Sequence, residues 1–272
     1  MKKIIKLTNN YIVIATPLIL YTLISGIYTA MTARSGNLVN ALIAVLILML
    51  MTSAFIAGWF NMVKLASTDA EPNDPNSIIK SFIPGVGEYF LTTIGSIFVI
   101  FILNVITLAV SVAIGMHTIG DPGISADSLS KALSNTEALK AFLTGLSSTQ
   151  LMKLNLWNML LLGMMTLTYF LLILYIPAIF FKSKNPFKAF FISLKDLFSR
   201  HFIKTAGIYL LIFVINFFVS ILSAIFAGNI VTNFIMTLVN FYFICTASVG
   251  VFYYYNEKFV QPQIGQNIDM KI

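Results

Sequence analysis

Long uncharged stretches separated by short charged segments dominate the chain. Four stretches hold 27 to 32 uncharged residues each, and a fifth, between Lys204 and Glu257, holds 52. Because a bilayer-crossing helix needs about 20 apolar residues, the first four accommodate one helix each and the fifth accommodates two. Ala227-Gly228-Asn229 is the predicted turn between those two, since glycine and asparagine tolerate left-handed backbone. A transmembrane β-barrel is excluded because its strands alternate in polarity, whereas these apolar runs are continuous.

The pattern therefore predicts an all-α, polytopic membrane protein with six transmembrane helices and interfacial amphipathic helices in its cytoplasmic loops. A single membrane domain is predicted over residues 1–260, with a loop at 117–150 on the outer face and a cytoplasmic tail at 261–272. The predicted spans are about 11–32, 38–63, 89–116, 154–181, 205–227 and 230–255.

Composition agrees with this interpretation. Hydrophobic residues make up 58% of the chain and charged residues 10%, against about 25% charged in soluble domains, so a water-soluble monomer is excluded. The net charge of +7 favours contact with anionic lipid over binding of nucleic acid, because the basic residues lie in short loops and not on a soluble domain. The single cysteine, Cys245, is predicted to be a small buried hydrophobe.

Lysine and arginine set the predicted orientation. With the N-terminus inside, 13 of the 17 basic residues fall on the cytoplasmic side, which is the distribution expected from the positive-inside rule. Both termini are then cytoplasmic, and the protein is expected in the cell membrane. The stretch from Tyr11 to Thr32 exceeds a signal-peptide core of ~7–15 residues, so it is interpreted as an uncleaved anchor.

The loop at 182–204 contains a pattern typical of an interfacial helix. Asn185 is a predicted N-cap and Pro186 the first helical residue. An apolar stripe follows at helical spacing, with basic residues off the stripe. The stripe consists of Phe187, Phe190, Phe191, Leu194, Leu197 and Phe198. The alternative is an ordinary solvated connector.

A second cytoplasmic segment resembles the first. Ser77 opens a short predicted helix that Pro84-Gly85 stops. Its Ile79-Lys80-Ser81-Phe82-Ile83 parallels Phe187-Lys188-Ala189-Phe190-Phe191, which indicates a degenerate repeat of two spans joined by an interfacial loop. In the outer loop, Asp121-Pro122-Gly123 is a predicted turn before two short amphipathic helices, and Ser147 with Gln150 forms a predicted capping box.

One stretch of the chain, residues 175–202, resembles a known family. Its features are Pro177-Ala178-Ile179, Asn185-Pro186, the Ala189 to Ser193 helix and Arg200-His201-Phe202. They are similar to the signature of a bacterial six-span family of mostly uncharacterised membrane proteins, whose module is also found fused to glycerophosphoryl diester phosphodiesterases. The resemblance covers about a tenth of the chain and implies a membrane module without catalytic residues.

The chemistry of the chain points away from catalysis. No ionisable residue lies in the core of any predicted span, no metal or cofactor motif occurs, and no catalytic constellation is present. We therefore expect a non-enzymatic lipid-interacting or membrane-organising protein that needs no cofactor, with anionic lipid of the cytoplasmic leaflet as its partner. A small-molecule or lipid transporter remains the alternative. The candidates for headgroup contact are Lys182, Lys184, Lys188, Lys195, Arg200 and Lys204.

Small and amide residues within the spans are candidates for helix packing. Such residues let helices approach closely and form hydrogen bonds between them. The candidates are Asn104, Asn216, Ser220, Ala224, Gly228, Thr246 and Gly250. Tyr253-Tyr254-Tyr255 is interpreted as an aromatic belt at the inner membrane face. The sequence leaves open whether the chain forms a homo- or hetero-oligomer in the membrane.

Overall fold

The computed structural model describes residues 2–32, 37–68, 75–132 and 135–261, and these ranges contain helices and no strand. Six of the described helical segments are long and apolar enough to cross a membrane. They are Ile12–Thr32, Val39–Thr68, Phe82–Thr118, Ser148–Phe181, Phe202–Phe226 and Ile230–Val260. The all-α polytopic architecture predicted from the sequence is therefore confirmed. The predicted tail, apart from Gln261, lies outside the described residues.

Twelve α-helices are present in the described ranges, and the segment Ile12–Ile14 forms a 3₁₀ turn between the first two. The helices are α1 (Lys2–Asn10), α2 (Ala15–Thr32), α3 (Leu38–Thr68), α4 (Pro75–Lys80), α5 (Phe82–Thr118), α6 (Ala126–Ala132), α7 (Thr136–Gly145), α8 (Ser148–Leu172), α9 (Tyr175–Phe181), α10 (Pro186–Leu197), α11 (Phe202–Phe226) and α12 (Ile230–Tyr255). A π-helical turn, Asn256–Val260, extends α12.

Two prolines explain two differences between the observed helices and the predicted ones. The predicted fourth span is divided into α8 and α9, because the ring of Pro177 displaces the carbonyl four residues earlier, where the helix turns. The prediction that Pro84-Gly85 stops a short helix is wrong. Pro84 instead lies in the first turn of α5, where the N–H it lacks has no helical partner to lose.

The turn between α11 and α12 occurs where it was predicted but forms by another means. The positive φ angles among described residues belong to Gly120 and Gly123, so Gly228 and Asn229 do not adopt left-handed backbone. Asn229 instead caps α12: its side-chain oxygen accepts hydrogen bonds from the amides of Val231 and Thr232. The asparagine acts here as an N-cap and not as a left-handed turn residue.

The N-terminal segment contains a helix that the sequence analysis did not predict. Helix α1 carries Lys2, Lys3 and Lys6 on exposed positions, while Thr8 is buried. Tyr242 of α12 donates a 2.7 Å hydrogen bond to Asn9 at the end of α1. The first span, Ile12–Thr32, therefore begins with the 3₁₀ turn after α1 and does not run directly on from the N-terminal lysines.

The described residues divide into two compact units, of which the first comprises 2–99 and 171–261. Its core is aromatic. Tyr21 stacks on Phe55 at 4.2 Å between ring centroids, and the Trp59 indole donates a 2.9 Å hydrogen bond to the Ile14 carbonyl. Phe60 stacks on Phe252 at 5.4 Å, which joins α3 to α12. Many large apolar side chains on the same helices face outward, as expected for surfaces that contact lipid.

The second unit comprises residues 100–170, with the end of α5, most of α8 and the two short helices between them. The predicted turn is confirmed, since Asp121 accepts a 2.8 Å hydrogen bond from the Gly123 amide. The capping box is also confirmed: the Gln150 amide donates to Ser147 Oγ, and the Ser147 amide donates to Gln150 Oε1. Thr107 and Thr168 join α5 to α8 through a buried 2.7 Å hydrogen bond between hydroxyls.

Candidate functional site

Helix α10 begins as the sequence predicted. The Asn185 side-chain oxygen accepts a 3.0 Å hydrogen bond from the Lys188 amide, and Pro186 is the first helical residue. Gly95 of α5 lies against Pro186, so closely that a Cβ on Gly95 would fall 2.7 Å from the proline ring. The lack of a side chain at Gly95 therefore allows the start of α10 to lie directly on α5.

The apolar residues of α10 divide between two faces. One face packs inside the protein and contains the fully buried Ala189, Ser193 and Leu197. The opposite face is exposed, with Phe187, Phe191 and Phe198 each exposing more than half of their surface. Phe190 and Leu194 lie between the two faces and are half-buried. The predicted single stripe is therefore wrong at Leu197, which faces the protein because it lies on the same side as Ala189 and Ser193.

Two lysines border the exposed phenylalanine face. Lys188 and Lys195 are seven residues apart, and at ~3.6 residues per turn they share one side of α10. Both are exposed. Helix α10 thus presents Phe187 and Phe191 outward with a lysine edge beside them, and Phe198 is exposed just after its last residue.

A largely buried ion pair joins α10 to its neighbours. Lys182, just after α9, lies with Nζ 2.9 Å from Oδ2 of Asp196 on α10 and 3.2 Å from Oδ1. Both side chains are about one-seventh exposed, 14% and 13%. Tyr255 at the end of α12 donates a 2.6 Å hydrogen bond to the same carboxylate. Lys182 also lies over the rings of Tyr255 and Phe259, so its charge is fully engaged within the protein.

A second, more exposed charge cluster lies between α3, α5 and the segment after α9. Lys184 pairs with Glu88 at 2.9 Å, with both side chains about half exposed. Lys64 donates a 3.2 Å hydrogen bond to the Tyr89 hydroxyl, and both lysines lie within 6 Å of the Tyr89 ring centre. The structure thus brings the ends of three helices together around Tyr89, which is 2% exposed.

The start of α11 carries the remaining predicted headgroup candidates. Arg200 and Lys204 are exposed, and the Arg200 Nε donates to His201 Nε2 at 3.3 Å. Burial and the charges of Arg200, Lys204 and Lys258 lower the pKa of His201 below its usual range. The neutral imidazole is therefore favoured at pH 7, and its Nε2 accepts the Arg200 bond in the tautomer that carries the proton on Nδ1.

The six predicted headgroup candidates consequently fall into two classes. Lys182 and Lys184 are paired with Asp196 and Glu88. The other four are exposed and, among the described residues, have no carboxylate within ion-pair distance. These four are Lys188, Lys195, Arg200 and Lys204, which we call the free basic group.

The predicted packing residues take several different positions. Asn104 donates to the Ile100 carbonyl of its own helix, and its Oδ1 is buried without a partner among described residues. Thr246 and Gly250 are half-buried on α12, and the nearest side chain to Gly250 is Ile4 of α1. The remaining candidates are exposed on α11 and in the turn that follows it. They are Asn216, Ser220, Ala224 and Gly228.

Several residues of these clusters were not identified from the sequence. Tyr254 and Tyr255 were interpreted as belt residues, but both are buried, and Tyr254 shares a 2.9 Å hydrogen bond with Thr205. Asp196 was overlooked as a partner for Lys182, although it is the sole acidic residue between 182 and 204. A single carboxylate among the seven charged residues of 182–204 was the feature of the sequence that could have indicated an ion pair.

The described residues hold no group of three or more histidine, cysteine, aspartate and glutamate side chains that could bind a metal ion. Two members of the free basic group, Lys188 and Lys195, lie on α10 beside the exposed Phe187 and Phe191. Compared with protein-family models, with curated proteins and with solved structures, the chain matches nothing.

Proposed function

We propose that this chain is a non-enzymatic integral membrane protein whose α10 surface binds anionic phospholipid. The observation that carries the proposal is the exposure of Lys188 and Lys195 on α10 beside the outward rings of Phe187 and Phe191. The phenyl rings would enter the acyl boundary while the lysines contact phosphate groups. Such a surface would retain anionic lipid around the protein and organise the membrane next to it.

The magnitudes favour a measurable lipid preference. A lysine or arginine near an anionic membrane surface contributes about 1 kcal/mol. The free basic group supplies four such charges that no described carboxylate neutralises. Lys182 and Lys184 contribute less because Asp196 and Glu88 already balance them.

We also propose that this surface faces the cytoplasm of the cell membrane, with both termini on that side. The excess of lysine and arginine in the segments that adjoin it supports this orientation. Contacts within the first unit support a shared side, since Lys64, Lys182 and Lys184 lie in adjoining clusters around Tyr89 and Tyr255. The same leaflet carries the anionic lipid that the proposal requires.

Electron paramagnetic resonance on reconstituted vesicles tests the proposal. Spin-labelled phosphatidylglycerol and phosphatidylcholine are compared for the fraction immobilised by the protein. We expect the wild type to prefer phosphatidylglycerol and the double variant Lys188→Gln/Lys195→Gln to lose most of that preference. The matched control, Lys131→Gln/Lys140→Gln, removes the same charge from α6 and α7 and should behave as the wild type. Equal preference in all three proteins would contradict the proposal.

The transporter alternative is tested with the same vesicles. A dithionite assay for lipid scrambling and a panel of solute fluxes measure transport directly. Transport by the wild type that persists in the Lys188→Gln/Lys195→Gln variant would favour the alternative over an organising role. The two segments that the sequence aligns as a repeat differ in local structure, because Ser81 separates two helices whereas Ala189 lies within one.

A further inference from the structure

An apolar groove runs along α12 at the end that carries Tyr255. Its walls are α11 and α12, and Ile4 of α1 lies against Gly250 between the two ends. The cavity volume is about 410 Å³, within the ~300–1,000 Å³ range of small-molecule sites. The walls are almost entirely aliphatic and aromatic, with Ile212 and Phe243 at one end and Tyr253 and Glu257 at the other.

The length of this groove matches one leaflet of a bilayer. Phe243 and Glu257 are 14 residues apart on a continuous helical segment, which corresponds to about 21 Å at 1.5 Å per residue. Half of a ~30 Å hydrocarbon core is about 15 Å, so the groove spans a leaflet and reaches the headgroup region.

A small polar pocket adjoins the groove at the headgroup end. Its volume is about 100 Å³, and it shares Tyr253 and Glu257 with the groove. The other lining residues are Lys3, Ser67, Thr68, Asn256 and Gln261, which supply an ammonium, two hydroxyls and two amides. Ser67 and Asn256 are nearly buried, at 3% and 7% exposed.

The charges in and beside this pocket suit a phosphodiester. Lys3 lies with Nζ 4.9 Å from the centre of the Tyr253 ring and has no described carboxylate within ion-pair distance. The Glu257 carboxylate is neutralised by Lys258 at 2.7 Å. The Ser67 and Thr68 hydroxyls donate to backbone carbonyls of their own helix. One lysine charge therefore remains uncompensated beside the amides of Asn256 and Gln261, and a charged donor of this kind binds phosphate oxygens.

We propose that this composite cavity is a binding site for a single glycerophospholipid. One acyl chain lies along Ile212, Phe243 and Ala247 in the groove, and the phosphodiester lies in the polar pocket near Lys3. This site adds a specific bound molecule to the proposed lipid function. It rests on that proposal only because both take a lipid as the ligand. It uses no residue of the free basic group and holds one defined molecule, whereas the α10 surface contacts headgroups of the surrounding lipid.

Native mass spectrometry of the detergent-purified protein tests this site through the lipid that remains bound. The wild type should retain one phospholipid per chain. Ala247→Trp fills the groove and should lower the retained fraction by about tenfold or more. Val239→Trp places the same indole on an exposed position of α12 outside the groove and should retain lipid as the wild type does.

A second variant tests the site without the risk that Ala247→Trp fails to fold. Lys3 is an exposed residue, so Lys3→Gln leaves packing intact and should lower retention severalfold by weakening the phosphate contact. Retention equal to the wild type in both variants, absence of bound lipid in the wild type, or a bound molecule that lacks phosphate would each overturn the proposal.

The same experiment separates this site from the α10 surface. Lys188→Gln/Lys195→Gln should retain the groove lipid while losing phosphatidylglycerol preference in vesicles. If that variant lost the preference and Ala247→Trp kept its lipid, the proposed function would stand and the groove site would fall. If Ala247→Trp lost its lipid and the lysine variant kept its preference, the groove site would stand and the α10 surface would fall.

Discussion

The hydroxyl of Tyr255 lies 2.6 Å from Oδ2 of Asp196, the carboxylate that also pairs with Lys182. Tyr255 is the last residue of α12, and Asp196 lies near the end of α10. The Asp196 carboxylate on α10 thus contacts both Lys182, which follows α9, and Tyr255 at the end of α12. This arrangement fixes the rotation of α10, and it thereby determines that Phe187 and Phe191 face outward.

Breaking this pair should destabilise the protein strongly. Asp196→Leu leaves Lys182 buried and unpaired, a change that typically costs about 3–5 kcal/mol. Lys182→Met/Asp196→Leu removes both charges and should recover most of the lost free energy of unfolding. Replacing a buried ion pair by apolar residues of similar volume is often neutral or stabilising. Unfolding by sodium dodecyl sulfate, followed by circular dichroism, measures each variant.

The exposed pair of the same region serves as the control. Glu88→Gln breaks the bond to Lys184 at a site that is about half exposed, so it should change the free energy of unfolding by no more than about 1 kcal/mol. An equal effect of Asp196→Leu and Glu88→Gln would show that the buried pair does not hold α10.

In the second unit, Gly115 lies beneath the indole of Trp157. A Cβ on Gly115 would overlap that ring, and the indole N–H donates a 3.1 Å hydrogen bond to the Gly120 carbonyl. Gly115→Ala should therefore displace the indole and shift the emission of Trp157, measured in a Trp59→Phe background. Gly163→Ala on α8 meets no atom within 4 Å and should leave the emission unchanged. Identical spectra for both variants would contradict this packing.

The orientation predicts which serines a reagent reaches. Ser77 and Ser130 are both exposed, and the proposed orientation predicts that Ser77 lies in the cytoplasm and Ser130 outside. In a Cys245→Ala background, Ser130→Cys should react in intact cells with a membrane-impermeant maleimide. Ser77→Cys should react only after the membrane is opened. The reverse result would invert the topology.

Much of the architecture was predictable because a bilayer imposes one strong requirement. Backbone groups in hydrocarbon must bond within their own helix, so uncharged stretches near 20 residues reveal spans directly. The N-cap at Asn185 and the capping box of Ser147 and Gln150 were equally predictable, since each depends on residues within one turn.

The parts that escaped prediction depend on contacts between distant residues. Lys182 and Asp196 are separated by 14 positions, and Tyr255 lies 59 positions beyond Asp196. Periodicity placed Leu197 with the phenylalanines, but a helix packed on one side buries whichever apolar residues face its neighbour. The groove depends on Ile4 reaching Gly250, and no local pattern relates α1 to α12.

The position of α10 in the membrane interface is the central claim, and site-directed spin labelling tests it most directly. Labels placed singly at Phe187, Phe191 and Phe198 sample the outward apolar face, and labels at Lys188 and Lys195 sample its basic edge. Collision rates with oxygen, which concentrates in hydrocarbon, and with a water-soluble nickel complex are measured in vesicles. The account predicts high oxygen accessibility at the three phenylalanine positions and higher nickel accessibility at the two lysine positions. Uniform access to the nickel complex at all five positions would contradict it and make α10 a solvated connector.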